Sequence, residues 1–348
     1  KGTTILFMMT IMMTKMTKQI PISFLDLVPV PEGSDAKNAL KQAVTVAQTA
    51  EQVGFNRYWL AEHHNMRGIA STATSVLLAH IGAHTSTIRI GSGGIMLPNH
   101  APLVVAEQFG TLATLYGERI DLGVGRAPGT DGATFRALRR TMNDAENFPQ
   151  DVQELMHYFD PLDNQTVTAM PANGLNVPVW ILGSSLFGAS LAAALGLPYV
   201  FASHFAPQML SLAVTLYRAN FKPSRYLQQP YVMVASNLLL ADTDEEAAYQ
   251  FTSAQQSFVN LRRGKPSQMP KPIENIDAFW TSAEKYMVES SLAISFVGTP
   301  DSVKPKLDHF LETIRPDELI VTCNIYDQQA RLNSLSLVKA LDLFSLNS

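Results

Sequence analysis

The sequence predicts a single α/β domain folded as a (β/α)8 barrel, the TIM-barrel fold, with insertions after strands 4 and 7. Strand-like apolar runs that end in glycine-rich or polar segments alternate with helical segments, at a spacing of about 30 residues. Eight such strands can be counted, and a helix after the last strand completes the ring. A doubly wound open sheet is the alternative, and the closing strand and helix favour the barrel.

The first four strands follow one another at regular spacing. They are predicted at residues 20–27, 57–61, 88–95 and 119–124. The first strand ends at a proline-rich loop. Ser34 or Asp35 caps the helix that follows, and Gly54 stops it. Pro102 lies in the first turn of the helix before the fourth strand, where its missing amide hydrogen is not needed.

The spacing changes after the fourth strand and again after the seventh. The remaining strands are predicted at residues 178–185, 199–204, 231–241 and 318–323, and residues 242–244 cap the helix after the seventh. A first insertion, residues 130–176, contains helices at 135–140 and 151–159. A second insertion, residues 262–290, is rich in proline. Because long loops of this kind are often lids, we expect it to cover the site.

The composition is that of an ordinary soluble globular protein. The chain has 348 residues, of which 46% are hydrophobic and 16% are charged, and its formal net charge is −4. The weak negative charge and the lack of basic runs argue against nucleic acid as a partner. A single cysteine, Cys323, excludes an internal disulfide and fits a cytoplasmic protein.

Residues 1–19 are interpreted separately from the domain at residues 20–348. The apolar run at residues 6–13 is short, is interrupted by threonine and has no small-residue cleavage site after it. A leader that is vector-derived or translated from upstream, or a disordered extension, is favoured over a targeting signal. No stretch of 18 or more uninterrupted apolar residues occurs, so no membrane partner is expected.

Glu62, His63 and His64 follow the second strand directly. Adjacent residues of a strand point to opposite faces, so the two histidines are not expected to share one metal ion, and no metal is expected. One imidazole is expected to face the barrel mouth as an acid or a base, since imidazole titrates near neutral pH. Two buried, hydrogen-bonded core histidines are the alternative.

Gly91-Ser92-Gly93-Gly94 lies towards the end of the third strand. Glycine weakens a strand, so it usually marks a bulge or a place where another group presses against the backbone. A planar ring system is a candidate for that group, and a kink that serves packing is the alternative.

An arginine and two serines follow the fourth and fifth strands. Gly125-Arg126 lies among small residues, where a guanidinium suits a phosphate through its paired donors. Gly183-Ser184-Ser185 precedes a helix, and the amides at a helix start bind anions. Because the two strands are neighbours, these groups can converge on one phosphate. A solvated arginine and a plain serine cap are the alternative.

The single histidines are interpreted as structural or surface residues, with one exception. They are His80, His84, His100, His157, His204 and His309. His204 is the exception, because it ends the sixth strand on the face where the site is expected.

At these residues the sequence resembles the bacterial luciferase-like, flavin-dependent monooxygenases. It is most similar to their single-subunit, functionally unassigned members, and the resemblance covers nearly the whole chain from Ile20 onward. The most specific segments are residues 58–64, 91–98, 125–126, 183–185 and 196–198.

The resemblance implies that reduced FMN (FMNH2) binds at the carboxyl face of the barrel, with His63 as the catalytic residue beside the flavin. The cofactor-binding residues that it implies are Glu62, Ser92, Gly93, Gly94, Gly125, Arg126, Gly183, Ser184 and Ser185. Of these, Arg126 and the two serines hold the phosphate, and Gly93–Gly94 corresponds to a cis peptide of the family. Gly125 departs from the family pattern, since the light-emitting α subunit has a reactive cysteine there. Light emission is therefore disfavoured.

The resemblance also implies a reaction and its partners. We expect a two-component monooxygenase in which a separate flavin reductase supplies FMNH2 and O2 reacts with a small organic substrate that remains unidentified. The enzyme is expected to be a homodimer. A coenzyme F420-dependent oxidoreductase of the same superfamily, a non-catalytic flavin-binding protein and a zinc-dependent hydrolase are the alternatives.

Overall fold

The computed structural model describes residues 19–127, 131–161 and 166–346. The strands of these ranges are β1 (Ile20–Asp26), β2 (Arg57–Leu60), β3 (Arg89–Met96), β4 (Ile120–Gly125), β5 (Val179–Gly183), β6 (Tyr199–Phe201), β7 (Val232–Leu240), β8 (Ser295–Gly298), β9 (Glu318–Thr322) and β10 (Phe344–Ser345). The helices are α1 (Ala36–Val53), α2 (Thr74–His84), α3 (Pro102–Tyr116), α4 (Gly132–Ala137), α5 (Phe148–Tyr158), α6 (Leu186–Leu195), α7 (Leu210–Asn220), α8 (Asp244–Arg262), α9 (Ser282–Ser291), α10 (Pro300–Ile314) and α11 (Gln328–Leu337). The expectation for residues 1–18 lies outside the described residues.

Eight parallel strands close into a ring. Strands β1 to β7 pair in chain order, and β9 pairs with both β7 and β1. The predicted (β/α)8 barrel is therefore confirmed, and β9 is the strand that was predicted to close it. Strand β10 pairs in parallel with the first two residues of β1, Ile20 with Phe344 and Pro21 with Ser345.

Strand β8 was not predicted, and it lies outside the ring. The first half of β7 pairs with β9, and its second half, from Asn237 to Leu240, pairs with β8. The sequence predicts no strand between residues 241 and 318, because a run of four residues that includes serine and glycine has no clear strand pattern. The second insertion likewise contains helix α9, which was taken for loop.

The helix ends follow local capping chemistry. The predicted cap Asp35 accepts a hydrogen bond from the backbone amide of Asn38 at 2.8 Å, and Gly54 ends α1 with a left-handed φ of 100°. Helix α4 was predicted one turn too late. The carboxylate of Asp131 caps it through the backbone amide of Thr134 at 2.8 Å, which sets its start at residue 132.

The amino ends of the strands are closed by four charged side chains, Arg57, Arg89, Asp121 and Glu318, which we call the barrel floor. Arg57 contacts Asp121 at 2.6 Å and Glu318 at 3.0 Å, and Arg89 contacts Asp121 at 2.6 Å. Both carboxylates are fully buried. Because the floor is filled by these ion pairs, the opposite, carboxyl end of the barrel is the end open to a ligand; we call it the mouth.

Aromatic side chains fill the barrel above the floor. Trp59 and Trp180 pack edge to face with ring centroids 5.3 Å apart, and Trp180 packs in the same way on Tyr231 at 5.6 Å. Both tryptophans are buried, so the interior is a packed core. A ligand is therefore confined to the mouth.

The second insertion is tied to the rim of the mouth. The amide of Met269 donates to the carbonyl of Val30 at 2.9 Å, and the amide of Glu32 donates to the carbonyl of Met269 at 2.9 Å. Residue Gly68, in the loop after β2, lies so close to Ser267 that a Cβ would be 2.2 Å from the Ser267 carbonyl oxygen. The insertion thus forms a wall beside β1 and β2. None of the helices in the described ranges is long and apolar enough to span a membrane.

Candidate active site

Glu62 is the centre of a buried polar cluster at the mouth. Its carboxylate is 1% exposed. One oxygen accepts from Nε2 of His64 at 2.7 Å and from Nε2 of His100 at 2.8 Å, and the other accepts from the amide of Met96 at 2.9 Å. Burial by itself raises the pKa of Glu62, but the hydrogen bonds from the two imidazoles outweigh it and lower the pKa to about 2. Glu62 is therefore ionised at neutral pH, and each imidazole carries a hydrogen on Nε2.

The two adjacent histidines, His63 and His64, interact with different residues. Strand β2 ends at Leu60, so His63 and His64 lie in the loop after it. The alternation of side chains along a strand, from which the prediction for these histidines starts, does not apply to them. His64 turns to Glu62, whereas the charge of His63 acts on His204. Strand alternation therefore does not orient these two side chains, and their divergence stays a prediction.

His204 lies three residues beyond the end of β6, in the loop at the mouth. Burial and, to a smaller extent, the positive charge of His63 together lower its pKa to about 4. The His204 ring is therefore neutral at pH 7. The sequence analysis had kept this residue apart from the other histidines because of its place at a strand end.

Close packing requires glycine at positions 93 and 94 of β3. The Gly93–Gly94 peptide bond is cis, as the resemblance implied. A Cβ on Gly93 would lie 2.7 Å from Leu25, and a Cβ on Gly94 would lie 2.7 Å from the carbonyl oxygen of Gly123. The pairing of β3 with β4 shifts register between Gly93 and Ile95, so the expected bulge is confirmed. Gly93 remains partly exposed.

Ser92 has a structural partner beneath these glycines. Its side chain is buried, and its hydroxyl donates to the carbonyl of Gly123 at 2.8 Å. This hydrogen bond joins β3 to β4 directly before the position at which their pairing shifts register.

Two other predicted glycines have space around them. The nearest atoms to a Cβ on Gly125 belong to Met96, at 3.4 Å, and the nearest to a Cβ on Gly183 is the Cα of Gly188, at 3.6 Å. Gly125 pairs with Leu182, so the two glycines lie on neighbouring strand ends. Unlike at Gly93 and Gly94, a Cβ at either position would make only ordinary van der Waals contacts.

Arg126 follows Gly125 at the end of β4, and its side chain lies against the start of helix α6. Its guanidinium carbon is 4.2 Å from the centroid of the Phe187 ring, in the first turn of α6. None of the ion pairs in the described part of the chain includes Arg126. Ser185 is the residue that begins α6, but its side chain makes no capping hydrogen bond within the described residues. Arg126 thus lies beside the first turn of the helix that Ser184 and Ser185 precede, and their convergence on one phosphate stays a prediction.

Sequence reasoning missed two contributors to the mouth, His100 and Phe187. His100 was taken for a structural or surface histidine, but the short 3-10 turn at Leu97–Asn99 brings it back to Glu62. A proline two residues before a histidine, directly after a glycine-rich strand, was the available signal. No signal marked Phe187, because a phenylalanine in a helix is most often a core residue. Among the described residues, no group of three acidic, cysteine or histidine side chains is arranged to hold a metal ion.

The sequence matches a known protein family over most of its length. The model of the luciferase-like monooxygenase family matches residues 20–317. A luciferase-like monooxygenase of Escherichia coli (strain K12) is 55% identical over 322 residues, which are 92% of this chain and 96% of that protein. An N-acetyl-S-alkylcysteine monooxygenase of Bacillus subtilis (strain 168) is 31% identical over 311 residues, which are 87% of this chain and 92% of that protein.

Solved structures share the fold. The crystal structure of apo-MsnO8 has a TM-score of 0.87 at 31% identity and covers 94% of this chain and 100% of its own. The oxygenating constituent of 3,6-diketocamphane monooxygenase of Pseudomonas putida, in complex with FMN, has a TM-score of 0.68 at 17% identity, covering 94% and 100%. An F420-dependent secondary alcohol dehydrogenase with an F420-acetone adduct has a TM-score of 0.64 at 15% identity, covering 93% and 98%. These last two likenesses show the fold alone.

The family model spans most of the chain, and the relative from Escherichia coli is more than half identical over nearly its full length. The chain belongs to the luciferase-like monooxygenase family.

Proposed function

We propose that the protein is an FMN-dependent, two-component monooxygenase. It receives FMNH2 from a separate flavin reductase and uses O2 to oxygenate a small organic substrate in the cytoplasm. The observation that carries the proposal is the joint position of Arg126 and the start of α6 at two neighbouring strand ends. Gly125 and Gly183 leave room there for a ligand to approach the backbone.

A phosphate fits this corner chemically. Arg126 offers paired charged donors, and the first amides of α6 offer further donors at the positive end of the helix dipole. The hydroxyls of Ser184 and Ser185 are the remaining donors that we assign to the phosphate. Each hydrogen bond to a charged group contributes about 1.5–3 kcal/mol, so loss of the guanidinium alone is measurable.

We assign the flavin ring to the surface between this corner and His63. Gly93, which is partly exposed, and Gly94 lie there on β3, above the hydroxyl of Ser92. The carboxylate of Glu62 is occupied by two imidazoles and an amide, so we assign it an indirect contact with the cofactor, through those groups.

The chain's own part is orientation, exclusion of water and control of a proton. A bound reduced flavin supplies the electrons with which O2 is activated. The aromatic layer of Trp59, Trp180 and Tyr231 closes the barrel from below, and the second insertion walls the mouth at Met269, so both limit water at the site. We assign His63 the role of holding and releasing a proton beside the flavin.

Titration of the purified protein with FMN and, separately, with coenzyme F420 tests the cofactor. We expect tighter binding of FMN, and Arg126→Ala weakens it about 10- to 100-fold, the effect of one lost charged contact. Arg136→Ala, on the exposed side of α4, is the matched control and leaves the Kd unchanged. Equal FMN affinity of the Arg126→Ala variant and the wild type contradicts the assignment, and tighter F420 binding favours the F420-dependent alternative.

Oxygen uptake with an FMNH2 supply tests the reaction. An N-acetyl-S-alkylcysteine is the first substrate to try, because a relative 31% identical is named for that activity. A monooxygenase couples O2 uptake to an oxygenated product. A flavin carrier releases only hydrogen peroxide, so peroxide without product across a thioether panel contradicts the proposed reaction.

We also propose a homodimer formed by α2 and α3. Both helices expose large apolar side chains, Val76 at 70%, Leu115 at 62% and Val104 at 44%. Large apolar side chains that are exposed on neighbouring helices can mark a surface that a second subunit covers. Light scattering checks this: Val76→Glu combined with Leu115→Glu is expected to give monomers, and Leu212→Glu, on α7, is not. A monomeric wild type contradicts the proposal.

A further inference from the structure

His204 lies opposite His63 across the mouth. In the ring of eight strands, β2 and β6 are four positions apart in either direction. His63 follows β2 and His204 follows β6, so their side chains approach from opposite walls. The charge of His63 contributes to the lowered pKa of His204, so the two imidazoles lie within the range of their electrostatic interaction.

The backbone of His204 is held from β7 and β8. Asn237, on β7, donates through Nδ2 to the carbonyl of His204 at 2.7 Å and to the hydroxyl of Ser295 at 3.0 Å. The hydroxyl of Ser203 donates to the carbonyl of Ala235 at 2.5 Å. Ser295 belongs to β8, so the strand that follows the second insertion also contributes to the mouth.

The His204 ring has an unused polar atom. Its Nδ1 is buried and makes no hydrogen bond within the described part of the chain. The ring packs edge-on against Phe205, with centroids 4.7 Å apart. A buried polar atom that lacks a hydrogen bond costs about 1–3 kcal/mol, and a ligand that supplies the partner recovers that cost.

The charge state of the ring suits this role. Of the titratable groups in the described ranges, His63 is the one whose charge acts on His204, whereas the contacts from β7 and β8 come from the neutral side chains Asn237 and Ser295. The ring is thus kept neutral at pH 7, and a neutral imidazole can either donate or accept a hydrogen bond.

We propose that His204 is a second functional imidazole of the site, which hydrogen-bonds a polar group of the bound flavin opposite His63, and that Asn237 and Ser295 position it. The inference rests on the proposed function for the identity of the ligand. It adds a residue that touches the ligand and gives β8 a role in holding that residue.

Imidazole nitrogen NMR with FMN as the probe tests the contact. In protein with 15N-labelled histidine, the signals are assigned with His204→Asn and His63→Asn. We expect saturating FMN to shift the Nδ1 signal of His204. An unmoved His204 signal, with FMN bound in an Arg126-dependent way, overturns the inference. Failure of FMN to bind at all overturns the proposed function instead, so the two failures are distinguishable.

Two substitutions separate the polar atom from the bulk of the ring. Asparagine places a polar atom near the position of Nδ1, whereas phenylalanine keeps a ring without one. We expect His204→Phe to weaken FMN binding about tenfold and His204→Asn to stay near the wild type. His309→Phe, on the exposed face of α10, is the control for the substitution. Equal Kd values for the Phe and Asn variants overturn the proposed hydrogen bond.

A double-variant cycle tests the positioning role. If Asn237 acts through His204, Asn237→Ala weakens FMN binding in the wild type but adds little in the His204→Phe background. Ser295→Ala is expected to follow the same pattern with a smaller effect. Additive losses, in protein whose unfolding curve shows that it is folded, contradict the positioning role while leaving the NMR result to decide the contact itself.

Discussion

The floor and the mouth of the barrel both bury carboxylates, but they pair them with different partners. At the floor, Asp121 and Glu318 contact arginines. At the mouth, Glu62 contacts the imidazoles of His64 and His100. Arginine keeps its proton under all ordinary conditions, whereas imidazole titrates near neutral pH. The floor carboxylates are therefore balanced by guanidinium charges, whereas the mouth carboxylate is held by hydrogen bonds from two imidazoles.

The same difference appears in the energetic balance. Burial alone would raise the pKa of Asp121, and the charges of Arg57 and Arg89 outweigh it and lower the pKa. At Glu62, the compensation comes mainly from hydrogen bonds donated by imidazoles. The comparison teaches that the protein keeps buried carboxylates ionised in two ways, by guanidinium charges at the floor and by imidazole hydrogen bonds at the mouth.

The largest effect is expected at the floor. Arg57→Met leaves Asp121 and Glu318 buried with one cationic partner fewer. Because an unpaired buried charge is costly, we expect the free energy of unfolding to fall by about 3–5 kcal/mol. Urea denaturation measures it, with the exposed Arg136→Met as control. The FMN affinity of the folded fraction is expected to stay unchanged, and a loss below about 1 kcal/mol contradicts a structural floor.

An intermediate effect is expected where the mouth is crowded by protein. Gly94→Ala places a methyl group 2.7 Å from the carbonyl oxygen of Gly123, a backbone atom that cannot rotate away. We expect a loss of about 1–3 kcal/mol in the free energy of unfolding. Gly125→Ala, whose Cβ meets only the flexible Met96 at 3.4 Å, is the matched control, with an expected change near zero. Equal losses contradict the distinction between filled and open glycines.

Measured per pH unit, the smallest effect is in the pH dependence of stability, which separates the two titrating groups of the mouth. The pKa of His204 is about 4 in the folded protein against 6.5 unfolded, so the fold is fully stabilised above pH 6.5 and loses stability as the pH falls towards 4. The pKa of Glu62 is about 2 against 4.5, so its contribution is lost between pH 4.5 and 2. Each group gives a slope of at most about 1.4 kcal/mol per pH unit.

Urea denaturation across this pH range checks both windows. His204→Phe is expected to remove the loss of stability between pH 6.5 and 4 and to keep the loss between pH 4.5 and 2. Glu62→Gln is expected to have the opposite effect. A His204→Phe variant whose stability falls between pH 6.5 and 4 as the wild type does contradicts the burial of that ring. Floor variants are expected to leave the upper window unchanged, since arginine does not titrate there.

The pattern of strands and helices was predictable because it is local. The alternation of apolar runs and capped helices, such as α1 between Asp35 and Gly54, depends on residues a few positions apart. The place of Arg126, Ser184 and Ser185 at strand ends followed from the same pattern, and the barrel topology then made them neighbours. Strand β8 was missed because its four residues form a strand only alongside the far half of β7.

What the sequence by itself determined is the barrel, the capped helices and the strand ends that carry the candidate groups, since periodicity and capping act over one or two turns of chain. What only the tertiary structure decided is how those groups are paired. His100 reaches Glu62 across a turn, His204 faces His63 across the ring, and Asp121 meets two arginines from other strands. Such pairings depend on strand order and register, which bring together side chains that are far apart in the chain.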